Sequence, residues 1–274
     1  MKKTVIAAAL YLLIPLAPAF SESGSFSLLT YNVAGLPDGL SQSSPALYNK
    51  QISPLLNSFD VVVVQENFSY HKDLTGDLIH DYIEPKGRGG FLGDGLSRFS
   101  KTSFANVDHT PWTKCYGFFR NSNDCLTKKG YSVAVHEIAP GIYIDIYNLH
   151  MDAGSGEGDM AAKDAQIHQL IERINSTSPD SALIVAGDWN LSKSRSDMTD
   201  LLNRIAGKTG LIDACEFLKC GDDRIDRVMF RSGAGVELLP LSWKVERKLF
   251  VTESGKPLSD HDAVAVVFSY TVAR

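Results

Sequence analysis

Three short polar clusters carry groups suited to metal or proton chemistry: Gln65-Glu66-Asn67, Gly187-Asp188-Trp189-Asn190 and Ser259-Asp260-His261-Asp262. Each adjoins an apolar run that reads as a buried strand. Val61-Val62-Val63-Val64 leads into the first, Ala182-Leu183-Ile184-Val185-Ala186 leads into the second, and Ala263-Val264-Ala265-Val266-Val267-Phe268 follows the third. A fourth run, 142–149, ends at His150. Carboxylates, amides and imidazoles at the ends of buried strands are costly unless partnered. Their repetition predicts one shared site at the rim of a sheet. Carboxylate oxygens suit Mg²⁺, and imidazoles trade protons near neutrality or, when charged, stabilise a developing anion. The chemistry predicted is metal-assisted hydrolysis of a phosphate ester.

Taken singly, each residue has a plainer role available. Glu66 fits a helix cap or an ion pair as well as a metal ligand. Asp188 and Asn190 alternate on one strand end with Trp189 directed oppositely, yet G-D-x-N also invites an Asx turn. A lone histidine is more often structural, but His150 and His261 both stand at strand boundaries with Asp152 and Asp260 close by. Asp226, in Arg224-Ile225-Asp226-Arg227-Val228, is placed to orient an imidazole or to pair with Arg227 on the surface.

The elements that must position these groups are legible in outline. Residues 25–31 alternate into a first strand ending at Asn32, and 49–59 carry Ile52, Leu55, Leu56 and Phe59 at helical spacing, with Pro54 assigned to the first turn. A short helix is expected over 71–79, a glycine-rich loop over 87–95 and irregular aromatic chain over 104–120. Strands follow at 131–137 and 142–149, then a helix over 159–175, a strand at 182–186, a helix over 196–206 and strands at 227–231 and 263–270. Strands alternating with amphipathic helices give an α/β class, and the Gly- and Ser-rich turns favour a two-sheet core with outer helices.

Residues 1–21 resemble a cleaved export signal, with Lys2-Lys3, an apolar stretch over 4–16 and Ala17-Pro18-Ala19. That stretch is shorter than the ~20 residues a spanning helix needs, and no cysteine marks a lipoprotein site. The expectation is a secreted chain, periplasmic or extracellular, with 22–274 as a single catalytic domain. The formal net charge is −5, and removing 1–21 takes away two lysines and no acid. The remainder is therefore more acidic still, which mildly disfavours polyanionic partners. Four cysteines in an exported chain suggest disulfides. Cys115–Cys125 and Cys215–Cys220 are the local pairing expected, with zinc ligation the rival.

Thr30-Tyr31-Asn32, Val64-Gln65-Glu66-Asn67, Asn148-Leu149-His150, Gly187-Asp188-Trp189-Asn190, Ile225-Asp226-Arg227-Val228 and Ser259-Asp260-His261 stand in the order of the endonuclease/exonuclease/phosphatase superfamily. The resemblance covers 28–268. It implies a four-layer α/β sandwich, two packed, mostly antiparallel β-sheets flanked by helices, with the site at one edge. It further implies that Glu66 is the principal ligand of a divalent metal, with Asn32 and Asp260 near it. Mg²⁺ is expected, with Mn²⁺ or Ca²⁺ as alternatives. By the same resemblance Asp188 positions or deprotonates water, Asn190 binds the phosphoryl group, and His261, oriented by Asp226, is acid/base or charge stabiliser. His150 matches the second histidine of the deoxyribonuclease and sphingomyelinase branches.

Gly93-Asp94-Gly95-Leu96-Ser97-Arg98-Phe99-Ser100 and Asp124-Cys125-Leu126-Thr127-Lys128-Lys129-Gly130-Tyr131 resemble segments of neutral sphingomyelinases. Asp152-Ala153 departs from the Gln-Ala common in them. Trp112, Tyr116, Phe118 and Phe119 could form an aromatic lip at a lipid interface or could pack in the core. The expected substrate is a phosphodiester, a sphingomyelin or phospholipid headgroup at a membrane surface cleaved in a phospholipase C-like manner, with no obligate protein partner. The alternative is a deoxyribonuclease-like nuclease, whose positive groove would have to come from Lys128, Lys129, Arg224, Arg227 and Arg231. Remoter options are a non-catalytic secreted binding protein on the same scaffold and hydrolysis of soluble inositol phosphates.

Overall fold

A computed structural model of the chain describes residues 22–38, 44–86, 93–117 and 121–272. The expected leader 1–21 and most of the glycine-rich 87–95 lie outside these residues. The first half contains β1 (Glu22–Asn32), α1 (Pro45–Leu55), β2 (Val61–Gln65), α2 (His71–Thr75), β3 (Tyr82–Ile83), β4 (Ser97–Ser100), β5 (Phe104–Pro111) and β6 (Gly130–Ala139). Then come β7 (Ile142–His150), α3 (Glu157–Thr177), β8 (Leu183–Asp188), α4 (Ser196–Thr209), β9 (Ile212–Asp213) and α5 (Ala214–Leu218). β10 (Asp226–Arg231), β11 (Val236–Val245) and β12 (Val264–Val272) complete the order.

The four-valine run shows why the sheets stack. Side chains alternate across a strand, so Val61 and Val63 join Leu28, Ile144, Ile146, Ile184, Val228 and Val266 in a core shared by both sheets. Val62 and Val64 point the other way, into a second core with Leu29, Tyr31, Ile52 and Leu56. On the far side, Leu183 and Val185 pack with Ile167, Leu170 and Ile174 of α3 and Leu201, Leu202 and Ile205 of α4. Strands buried on both faces are near-continuously apolar, and helices must cover each outer face. The result is the α/β/β/α sandwich expected.

One sheet has the order β11-β12-β1-β2-β4-β3 and the other β5-β6-β7-β8-β10-β9. Among the described residues, β1–β2 and β7–β8 pair parallel, and the other pairings are antiparallel. Consequently the C-terminal ends of β1, β2, β7 and β8 and the N-terminal ends of β10 and β12 share one edge. Both expected disulfides are present, Cys115–Cys125 and Cys215–Cys220.

Several local expectations need correction. α1 begins at Pro45, where a missing N–H costs nothing, and Pro54 falls in its last turn instead of its first. α2 stops at Thr75, ahead of Gly76. Residues 104–111 are not irregular: they form β5, an edge strand bonded only to β6 and largely exposed, so no alternating buried face marks it. β4 and the edge strand β11 were also unforeseen, β11 being bulged between Pro240 and Ser242. Trp112 is a core residue whose Nε1 donates to the His150 carbonyl oxygen at 2.7 Å, so it forms no lip. Tyr116 is exposed, and Phe118 and Phe119 lie outside the described residues.

Gly187 sits at φ 149° in β8, and a Cβ there would lie 2.1 Å from the Leu149 carbonyl oxygen. Gly187→Ala is therefore expected to destabilise the fold by more than about 3 kcal/mol. Urea unfolding followed by circular dichroism measures this directly.

Candidate active site

The converging strand ends place Asp188 at the centre. Its Oδ2 accepts from Asn32 Nδ2 at 3.2 Å, which ties the two sheets together, and faces His150 Nε2 at 3.2 Å and His261 Nε2 at 3.8 Å. Its Oδ1 accepts the backbone N–H of Asn190 at 3.0 Å. Strand register sets these neighbours: Asp188 lies opposite His150 of β7 and Asp226 of β10. Trp189 points away into the helix-side core, as alternation predicts.

Glu66 follows β2 in the left-handed region at φ 58°. This is uncommon for a residue with a side chain, and such strain persists only where surrounding contacts impose it. Asn32 Nδ2 donates to Glu66 Oε1 at 3.1 Å, and His150 Nε2 lies 3.9 Å from the same oxygen. The side chain is 21% exposed, more than its buried neighbours, and among the described residues no group donates to Oε2. Glu66 thus presents an oxygen outward.

His261 Nδ1 meets both oxygens of Asp226, at 2.9 and 3.1 Å. Burial opposes the charged imidazole, but the hydrogen bond to Asp226 and the charges of Asp226, Asp188 and Asp260 outweigh it and push His261 up to about 10. Burial and Asp188 raise the Asp226 carboxyl as well, so the pair holds its proton into the alkaline range. Burial would also raise Asp188, yet the charge and hydrogen bond of His150, with the charge of His261, hold it well below the usual carboxylate range. Arg227 does not pair with Asp226. It binds Asp213 and Asp223 instead.

The remaining expected residues are less central. Asn190 adopts φ 50°, and its Nδ2 donates to the Met151 carbonyl oxygen at 3.1 Å. Asp260 is exposed and accepts from Ser259 Oγ at 3.3 Å. Asp152 is buried away from the two histidines, accepting the Tyr116 N–H at 2.8 Å. Two supporting residues were missed. Ser259 Oγ donates to the Asn32 carbonyl oxygen at 2.7 Å and accepts the His261 N–H at 3.2 Å. Lys163 is fully buried and donates to the carbonyl oxygens of Gly154 and Asn190 at 2.6 and 2.7 Å. Its signal was a lysine on the 163-167-170-174 stripe of α3, which is otherwise apolar.

Asp188, Asp226 and His261 each offer a ligand atom within 4.8 Å of the others. With Glu66 added, three carboxylates crowd one edge beside the two imidazoles, a concentration of acceptor oxygens suited to a divalent cation. Hard oxygen donors fit Mg²⁺. His261 must shed its proton before it can ligate, whereas Glu66 Oε2 needs no rearrangement.

The Endonuclease/Exonuclease/phosphatase family description matches residues 29–261. The chain belongs to that family. Among curated relatives, a sphingomyelinase of Mycobacterium tuberculosis strain H37Rv is 32% identical over 277 residues, 92% of this chain and 54% of the relative. The chain thus spans about half the length of the curated relatives it matches. Among solved structures, sphingomyelinase C from Streptomyces griseocarneus aligns with a TM-score of 0.65 at 18% identity, covering 89% of this chain and 99% of that one. D. rerio TDP2 in complex with a single-strand DNA product gives a TM-score of 0.68 at 16% identity, covering 89% and 98%. At these identities the structural likenesses speak for the fold alone, and the fold is that of the endonuclease/exonuclease/phosphatase family.

In chelated buffer, NMR titration of the imidazoles should show His261 protonated until about pH 10, and Asp226→Asn should bring the midpoint toward the ordinary value near 6.5. Because the folded value is raised, the associated stabilisation is fully present below the unfolded pKa and is lost as pH rises through the folded one. Denaturant midpoints should therefore fall across that alkaline window in the wild type, and Asp226→Asn should flatten the fall.

Proposed function

We propose that this chain is an exported, divalent-metal-dependent phosphodiesterase that cleaves the headgroup ester of a phospholipid, sphingomyelin foremost, with an activated water. The observation that carries the chemistry is the convergence of Glu66, Asp188 and Asp226 with two imidazoles on one sheet edge. The lipid assignment draws support from the 32% identity to sphingomyelinases over 92% of the chain. Of the five side chains available for a nucleic-acid groove, Lys128 is exposed and the other four are engaged within the protein. Arg227 is buried in ion pairs, Arg231 is spent on the carbonyl oxygens of Ser178 and Thr209, Arg224 binds Asp262 and Lys129 binds Asp124. Export is supported by the leader-like 1–21 and by two disulfides.

In this proposal Glu66, with Asn32 and Asp260 beside it, holds Mg²⁺ or, in its place, Mn²⁺ or Ca²⁺. The bound cation polarises the phosphoryl group and screens its charge. Asp188 stays ionised and aligns the attacking water by accepting its hydrogen bond, with His150 Nε2 3.2 Å away to share the proton. Asn190, with one amide hydrogen on the Met151 carbonyl oxygen, turns the other to a phosphoryl oxygen. His261 enters the reaction charged, so it stabilises the pentavalent transition state and then protonates the leaving alkoxide, while Asp226 keeps its ring oriented.

Glu66→Gln and Asp188→Asn are each expected to lower kcat/KM on the order of 100-fold or more while leaving the fold intact. The measurement is headgroup release from sphingomyelin vesicles alongside plasmid nicking, with and without chelator. Nicked DNA beside untouched vesicles would replace the lipid assignment with a nuclease. Hydrolysis that survives both chelation and Glu66→Gln would remove the metal-dependent one.

A further inference from the structure

A second ionic cluster lies among β3, β4 and β5. His109 of β5 bonds Asp94 through Nδ1 and Glu84 through Nε2. Glu84 also pairs with Arg98 Nε at 3.2 Å, and the Arg98 guanidinium continues to the Ile146 carbonyl oxygen at 2.9 Å and to Ser132 Oγ at 2.6 Å. Glu84, Asp94 and Arg98 are all buried. With a carboxylate at each ring nitrogen, the imidazole must carry both protons, and two cations then balance two anions. Burial opposes that state, but the bonds to Asp94 and Glu84 push His109 up to about 9. His136, beside Arg98, is driven by burial and by the arginine's charge well below the ordinary value, so it adds no charge.

The segment carrying Asp94 cradles the Glu66 turn. Asn67 N–H donates to the Gly95 carbonyl oxygen at 2.9 Å, and Asn67 Nδ2 donates to Ser97 Oγ at 3.0 Å. Gly95 lies so close to the Phe68 ring that a Cβ would come within 2.6 Å of Cε1. Asp94 Oδ1 accepts the Leu96 N–H at 2.9 Å, leaving Oδ2 for His109. Nothing else described ties the Asp94 side chain to the second sheet. The strained backbone of Glu66 is therefore propped by a loop whose charged anchor is on another strand.

We propose that His109 is a positioning residue for Glu66: as a cationic bolt between Asp94 and Glu84, it fixes the 93–97 segment and so presets the Glu66 carboxylate for the metal ion. This rests on the assignment of Glu66 as metal ligand. The test is calorimetric titration of the full chain with Mn²⁺ and Mg²⁺, alongside kcat at saturating metal and thermal melting. His109→Gln, which carries no charge and has one donor nitrogen in place of two on opposite sides of a ring, is expected to weaken metal binding about tenfold while kcat at saturating metal changes less than threefold. His109→Arg, which can again donate to both, should recover most of the affinity. Should His109→Gln fail to fold, Asp94→Asn keeps an acceptor for Leu96 and carries the same expectation. A lowered melting temperature with wild-type metal affinity in these variants would overturn the proposal. Glu66→Gln separates the two layers. If it abolishes metal binding while His109→Gln binds normally, only the bolt falls. If it binds metal as the wild type does, the assignment of Glu66 falls and the bolt falls with it.

Discussion

Like charges brought together out of water are the constraint around which this protein is built. Asp188 and Asp226 are buried facing each other across the strand pair, with the half-buried Glu66 across the sheet interface. Unaided, that crowding would protonate the carboxylates or push the sheets apart. It is held by two imidazoles, by the Asn32 carboxamide shared between Glu66 and Asp188, and by the Asn190 backbone N–H. Asn32 and His150 end β1 and β7, and Asn190 and His261 stand in the turns beside β8 and β12, strands whose central residues are packed in apolar core. The hydrophobic layers thus supply the stability that the polar edge consumes.

The sandwich makes this possible because two parallel pairs, one in each sheet, aim their C-terminal ends the same way. Polar bridges behind the edge keep the sheets in register. Gln65 Nε2 donates to Asn148 Oδ1 at 2.7 Å, and Asn148 Nδ2 returns to the Val64 and Ser97 carbonyl oxygens at 2.9 and 3.2 Å. A slip of one residue would break these bonds and also turn the valine run inside out. The geometry of the candidate site and the core packing are therefore specified by the same alternation.

Much of this was visible in the sequence because the central strands alternate or run apolar and then break at a polar residue. Glu66, His150, Asp188, Asp226 and His261 were found at such breaks and lie together. What escaped notice had no such contrast. β5 and β11 are edge strands whose outward residues mix polar and apolar types, so neither offers a clean period. The partners of His109 are 15 and 25 residues away in sequence and flank a glycine-rich stretch, and no local spacing connects them. Lys163 was hidden by its helix, where a charged residue normally marks a wet face. The sequence leaves Trp112 open between lip and core because an aromatic-rich segment between strands looks the same whether it packs inward or outward, and the structure places it in the core.

The connection from β5 to β6 is moored at both ends of its span. Trp112 is anchored on the His150 carbonyl oxygen and bonds the Lys129 carbonyl oxygen through its own N–H, Cys115 is joined to Cys125, and Asp124 accepts both from Lys129 and from the Ala153 N–H beside the catalytic edge. Between these moorings the Thr113 N–H donates to Gln169, Gln166 donates to the Lys114 carbonyl oxygen and the Tyr116 N–H donates to Asp152, so the described part of the connection is held against α3 and the chain just past His150. The protein therefore braces the chain beyond β7 from outside, and a disturbance of this connection would reach the candidate site through the His150 carbonyl group.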